Sequence, residues 1–88
     1  MRERMINDAQ LIGADKVLYR EYDGTSYQYF GHIVVAYFLV GDKEIAHYSP
    51  SDLAGLYMGK GYPQLRKYSR RWGRETMLAY KIINIESN

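Results

Sequence analysis

The sequence predicts an α+β fold: an antiparallel sheet of three to four strands, with two short helices (50–58 and 63–72) packed on one face. Three observations favour it, namely alternating apolar segments in the first half, two tight-turn signals between them, and two helix-like segments after residue 49. The chain has 88 residues, of which 47% are apolar. This is enough for one small core, so residues 1–88 are expected to form a single globular domain.

A short helix and three strands account for the first half. Met5, Ala9 and Ile12 recur at helical spacing before Gly13, which predicts a helix over residues 4–12. Apolar or alternating runs predict three strands, at residues 16–22, 26–40 and 43–48. Near the C-terminus, residues 75–80 favour helix but the following β-branched residues alternate, so a final strand is expected from about 77 to 85.

Two turn signals set the predicted register of these strands. Asp23-Gly24 and Gly41-Asp42 both suit two-residue hairpin loops. The first would place Val17 opposite Phe30 and Arg20 opposite Tyr27. The second would place Phe38 opposite Ile45 and Ala36 opposite His47.

Because side chains alternate along a strand, this register divides the sheet into two faces. The expected core face comprises Val17, Tyr19, Phe30, His32, Val34, Ala36, Phe38, Val40, Ile45 and His47. The opposite face is rich in tyrosine and comprises Leu18, Arg20, Tyr22, Tyr27, Tyr29, Ile33, Val35, Tyr37, Leu39, Ala46 and Tyr48. Tyrosine suits half-exposed sheet faces and interfaces alike, so this second face is a candidate contact for a partner or a second copy.

The two later helices are predicted from their ends. Ser49-Pro50-Ser51-Asp52 resembles a capped helix start and Gly59 a stop, which predicts a helix over 50–58. Pro63 and Gly73 bound the second helix, 63–72. On a helical projection Leu65, Tyr68 and Trp72 share one side, expected to dock on the core face. The opposite side would carry Arg66, Lys67, Arg70 and Arg71.

The strongest functional signal is the distribution of charge. Residues 1–52 carry a net −3, residues 53–74 carry +6 with no acidic side chain, and residues 75–88 carry −1. A concentrated cationic segment is typical of a surface for an anionic partner. The candidate binding residues are Lys60, Arg66, Lys67, Arg70, Arg71 and Arg74, with Tyr57 and Tyr62 near enough to stack on bases.

These observations favour a non-catalytic binding module whose basic helix engages nucleic acid or a nucleoprotein complex in a regulatory or inhibitory role. The alternative is a protein–protein inhibitor or adaptor, of the kind that phages and mobile elements carry. It would bind a protein partner, or form a homodimer, through Arg, Trp and the tyrosines 22, 27, 29, 37 and 48.

Other classes of function are not expected. No nucleophile–base order, paired carboxylates or phosphate-binding glycine loop is present, so no catalytic residue and no cofactor is predicted. There is no cysteine, and the predicted register holds the two histidines about 13 Å apart, too far to share a metal ion. The longest apolar run is too short to span a membrane, no signal peptide is evident, and a cytoplasmic location is expected.

Overall fold

The computed structural model describes residues 2–22, 33–49 and 62–86, which form an α+β fold around a five-stranded antiparallel sheet. The strands are β1 (Lys16–Tyr22), β2 (Ile33–Val40), β3 (Lys43–Tyr48), β4 (Pro63–Leu65) and β5 (Lys81–Asn84), and the helices are α1 (Arg2–Ile12) and α2 (Arg74–Met77). The sheet order is β4-β3-β2-β1-β5. The predicted α+β class is confirmed, although the sheet has more strands than the three to four expected.

Some predictions fall outside the described residues. These are the helix 50–58, with Tyr57 and Lys60 near its end, and residues Tyr27, Tyr29, Phe30 and His32. Tyr22 is described only through its backbone, which pairs with Ile33. Neither helix within the described ranges has the length and apolarity that a membrane crossing requires.

Helix α1 confirms the prediction for residues 4–12 and starts slightly earlier. It ends where Gly13 adopts a positive φ of 79°, a conformation that glycine accepts without strain. The amide of Ala14 then donates to the carbonyl of Ala9, and the amide of Gly13 to that of Gln10. This double hydrogen bond is the Schellman ending, which satisfies the last carbonyls and turns the chain into β1.

The predicted register between β1 and β2 is wrong. Arg20 lies opposite Val35, eight residues beyond the expected Tyr27, and Val17 lies opposite Phe38 rather than Phe30. The Asp23-Gly24 signal therefore does not set the pairing. Alternation alone is compatible with any register displaced by an even number of residues, and the displacement here is even. Val17 and Phe38 consequently share a buried face, as expected.

A β-bulge between β2 and β3 changes which residues of β3 reach the core. The tight turn is confirmed, with Val40 opposite Lys43 and Gly41 at a φ of 62°. Beyond it Leu39 pairs with Glu44 but Phe38 pairs with Ala46, so Ile45 is an extra residue in the ladder. Ala46 and Tyr48 thereby join the Phe38 face, contrary to the prediction. His47 lies opposite Tyr37 instead of Ala36.

The sheet buries residues on both faces. On one, which we call the helix face, α1 contributes Met5 and Ala9 to a cluster that contains Val17, Ala36, Phe38, Ala46, Tyr48 and Ile83. On the other, which we call the tryptophan face, Leu18, Leu39 and Trp72 are buried, with Tyr37, Met77 and Tyr80 packed against them. The helix face is therefore covered by α1, not by the segment 63–72 as predicted.

The predicted helix 63–72 does not form. Its first three residues are strand β4, and residues 66–72 continue beside β3 without helical structure. Leu65 and Tyr68, expected to be buried with Trp72, are 71% and 81% exposed, whereas Trp72 is 5% exposed. The predicted final strand is confirmed in part, because α2 occupies Arg74–Met77 and β5 begins only at Lys81.

Asp15 joins three parts of the sheet at the start of β1. Its amide donates to the carbonyl of Leu39, and its carbonyl accepts from the amide of Ile85. Its carboxylate accepts a 2.9 Å hydrogen bond from the amide of Gly41. Asp15 thus fixes the β2–β3 turn and the end of β5 relative to β1.

Replacing Phe38 with alanine should destabilise the fold strongly. The Phe38 ring is fully buried and meets Tyr48 edge to face at 5.2 Å, so its removal would leave a cavity costing about 3–5 kcal/mol. Val40→Ala on the same strand is the control, because Val40 is 46% exposed and should change stability by less than about 1 kcal/mol. Urea unfolding measures both, and equal effects would contradict the assignment of the core.

Candidate functional site

The cationic residues lie on an edge segment, residues 63–72, which runs antiparallel to β3 with an interruption. Leu65 lies opposite Ala46, and Arg71 forms an isolated bridge with Lys43. The amide of Arg66 donates to the carbonyl of Ile45, and the amide of Glu44 donates to the carbonyl of Arg70. Residues 67–69 are left outside this ladder, and all three are exposed. They form a protruding bulge whose two ends are fixed by backbone hydrogen bonds.

Glu44 on β3 anchors the edge segment to the tryptophan face. Its carboxylate is fully buried and accepts hydrogen bonds from Trp72 Nε1 at 2.8 Å and from Arg70 Nε at 3.0 Å. The Nε of Arg66 contacts the second carboxylate oxygen as an ion pair, without the alignment of a hydrogen bond. A buried carboxylate is stable only when its charge is compensated in this way. Glu44 therefore holds both ends of the bulge against the sheet.

A second carboxylate meets the segment at the surface. Arg71 Nη1 donates to Asp42 Oδ1 at 2.8 Å, and both side chains are more than half exposed. The amide of Trp72 also donates to the carbonyl of Asp42 at 2.7 Å. An exposed ion pair contributes little to stability, so the backbone bond and Glu44 carry most of the attachment.

The edge segment and the start of α2 keep an excess of positive charge after this pairing. Arg66, Lys67, Arg70, Arg71 and Arg74 contribute five positive charges, and Glu44, Asp42 and Glu75 supply three negative charges, which leaves two. Lys67 and Arg74 are exposed, and the side chains of Arg70 and Arg71 are 56% and 75% exposed. Arg66, Arg70 and Arg71 are therefore brought together beside β3, although not on a helix, and Lys67 and Arg74 neighbour them in sequence.

Aromatic rings extend this surface over the tryptophan face. Trp72 meets Tyr37 at 5.0 Å and Tyr80 at 5.1 Å between ring centroids. The guanidinium of Arg70 lies 4.4 Å from the Trp72 ring centre, and that of Arg20 lies 5.3 Å from the Tyr80 ring centre. Such cation–π contacts favour a charged group at the edge of an aromatic cluster.

The predicted tyrosine sites are distributed over both faces. Tyr37 lies on the expected face but is half-buried under Trp72 and Tyr80. Tyr48 lies on the helix face, where its hydroxyl donates to the buried carboxylate of Asp8 at 2.7 Å. Tyr62 is 64% exposed, with the Arg4 guanidinium 5.0 Å from its ring centre. Tyr62 is thus accessible at the surface, whereas Tyr48 serves the core.

Glu44 is not among the site residues identified from the sequence. A helix over residues 63–72 would direct the cations to solvent, so no acidic partner was expected for them. The signal that indicates the pairing is Asp42-Lys43-Glu44, which places two carboxylates at the start of a strand. Among the described residues, no group of three or more His, Asp or Glu side chains is arranged to hold a metal ion.

Replacing Glu44 with glutamine should loosen the edge segment. The amide oxygen can keep the acceptor position that Trp72 and Arg70 share, but its NH2 group then faces the guanidinium of Arg66 and the negative charge between the two arginines is lost. We therefore expect a loss of about 1–3 kcal/mol in unfolding free energy. Asp42→Asn is the control: it also removes one charge that pairs with this segment, but at the surface, and should cost less than about 1 kcal/mol. Trp72 is the sole tryptophan, so the emission maximum reports its exposure directly. An unshifted maximum together with equal stability losses in both variants would contradict the anchoring role of Glu44.

Comparison with known proteins adds no relative: no family model matches the sequence, and neither a curated protein nor a solved structure matches it.

Proposed function

We propose that this chain is a non-catalytic binding module that engages nucleic acid, alone or in a nucleoprotein complex, through its edge segment. The observation that carries the proposal is the excess of exposed positive charge on a segment whose backbone is fixed. Lys67 in the bulge and Arg74 at the start of α2 are exposed, while Glu44 and the β3 backbone hold Arg66, Arg70 and Trp72 beside them. Because most of the backbone here is already ordered, binding to phosphates would order side chains but little backbone.

Charge complementarity favours a polyanion over a neutral partner. Phosphate groups recur at regular intervals along a nucleic acid, and each contact with Lys or Arg releases condensed counterions. Arginine presents a planar fork that suits phosphate oxygens, and three of the five cations here are arginines with exposed side chains.

We assign this module a regulatory or inhibitory role, which is the role open to a protein that binds nucleic acid without changing it chemically. The buried carboxylates in the described residues are committed to structural contacts, Glu44 with the edge segment and Asp8 with Arg4 and Tyr48. A module of this kind acts by occupying its partner and thereby excluding or recruiting other proteins.

A protein partner is the second candidate, and exposed apolar residues favour it. Leu65 and Leu78 are 71% and 73% exposed, and arginine and tyrosine are frequent anchors of protein interfaces. This candidate would be supported over the first by a captured protein whose binding survives nuclease treatment and whose affinity changes little with salt.

The test of the nucleic-acid proposal is the salt dependence of binding. Fluorescence anisotropy with labelled single-stranded and duplex oligonucleotides should show an affinity that falls steeply between about 50 and 200 mM salt. The double variant Lys67→Gln/Arg74→Gln should reduce the slope of log affinity against log salt by about 1.4 for single strands or about 1.8 for duplex. Neither side chain contacts Glu44, so the fold should be retained.

The matched control compares Lys67→Gln alone with Lys81→Gln, which removes the same charge from the opposite edge of the sheet. Lys81→Gln should leave the slope nearly unchanged. Equal slopes for Lys67→Gln and Lys81→Gln, or no measurable binding by the unaltered protein at low salt, would overturn the proposal.

A further inference from the structure

Resting on that proposed function, we propose that the nucleic acid is single-stranded and that Tyr68 and Tyr62 stack on its bases. These two tyrosines lie on either side of β4, one just before the strand and one in the bulge that follows it. They are the two most exposed aromatic residues in the described part of the chain, at 81% and 64%.

Tyr68 stands at the centre of the bulge. Residues 67–69 are all exposed, while the backbone bonds of Arg66 to Ile45 and of Glu44 to Arg70 fix the points where the bulge leaves and rejoins β3. The ring is thus held out from the sheet by a short, anchored loop. The ammonium of Lys67 lies 5.7 Å from the ring centre, which places a phosphate-binding charge beside a surface for a base.

Tyr62 repeats this pairing of a ring with a cation. The Arg4 guanidinium lies 5.0 Å from the Tyr62 ring centre, and Arg4 Nε also donates to the buried carboxylate of Asp8 at 3.3 Å. The cation is therefore tied to α1. Five residues lie between the two tyrosines, so their Cα atoms are at most about 22 Å apart and one short strand of nucleic acid can reach both rings.

The shape of the segment favours a single strand over a duplex. Readers of the major groove insert an α-helix or a two-stranded ribbon, and the cations here lie on one edge strand interrupted by a bulge. The faces of paired bases are covered by their neighbours in a duplex, whereas a single strand offers them to exposed aromatic rings. A ring beside a cation matches the alternation of base and phosphate along such a strand.

The experiment compares Tyr68→Leu with Tyr68→Phe. Leucine removes the aromatic face and phenylalanine keeps it, and neither should disturb the fold because the side chain is 81% exposed. We expect Tyr68→Leu to weaken binding of a single-stranded oligonucleotide about 5- to 150-fold, the range of one base–aromatic stack, and Tyr68→Phe to change it by less than about threefold. Tyr62→Leu should act in the same direction. Leu65→Ala, which removes exposed apolar surface between the two rings, should have little effect.

The outcomes separate this inference from the proposal on which it rests. If the unaltered protein binds duplex as tightly as single strands, or if Tyr68→Leu and Tyr68→Phe bind alike, stacking is overturned. The nucleic-acid proposal would then still stand, provided that Lys67→Gln/Arg74→Gln flattens the salt slope. If no oligonucleotide binds at any salt concentration, both are overturned together.

Discussion

The buried carboxylate of Glu44 determines how the second half of the chain lies on the first. Its three partners, Arg66, Arg70 and Trp72, all belong to the edge segment. An uncompensated buried charge at Glu44 would be strongly unfavourable. The edge segment therefore cannot detach from β3 unless Glu44 becomes exposed to solvent or remains buried without a partner. One acidic residue thus sets the edge of the sheet, the docking of Trp72 over Leu18 and Leu39, and the spacing of the exposed cations.

The sequence predicts the faces of the sheet correctly only where the strand register is displaced by an even number of residues. The predicted pairing of β1 with β2 differs from the observed one by eight residues, yet Val17, Ala36 and Phe38 lie on the predicted face, because an even displacement preserves side-chain direction. The bulge at Ile45 introduces a single residue, and that sufficed to exchange the faces of Ala46, His47 and Tyr48. Alternation in a sequence therefore assigns faces only as far as the first bulge, and it does not identify the partner strand's register.

The candidate site was predictable in composition and not in shape. The concentration of arginine and lysine is evident from residue order, and the structure brings Arg66, Arg70 and Arg71 together beside β3. The apolar and cationic residues of 63–72 also fall on opposite sides of a helical projection, but that projection takes no account of residues elsewhere in the chain. Arg66 and Arg70, four residues apart, would repel each other on a helix, and a shared carboxylate on β3 removes that repulsion. Ion pairs with a distant residue, which a local sequence pattern does not reveal, therefore favour the extended conformation of this segment over a helix.

The position of β5 has a consequence for the order in which the sheet can assemble. β5 pairs with β1, so the last strand described completes the hydrogen bonding of the first. Asp15 reinforces this closure by bonding to Ile85. About sixty-five residues separate such partners in sequence, and contacts of that range slow folding because a long loop must close first. During synthesis β1 therefore keeps an unpaired edge until the C-terminal residues emerge, and a chain shortened before Lys81 would retain that edge permanently as a template for association with other strands.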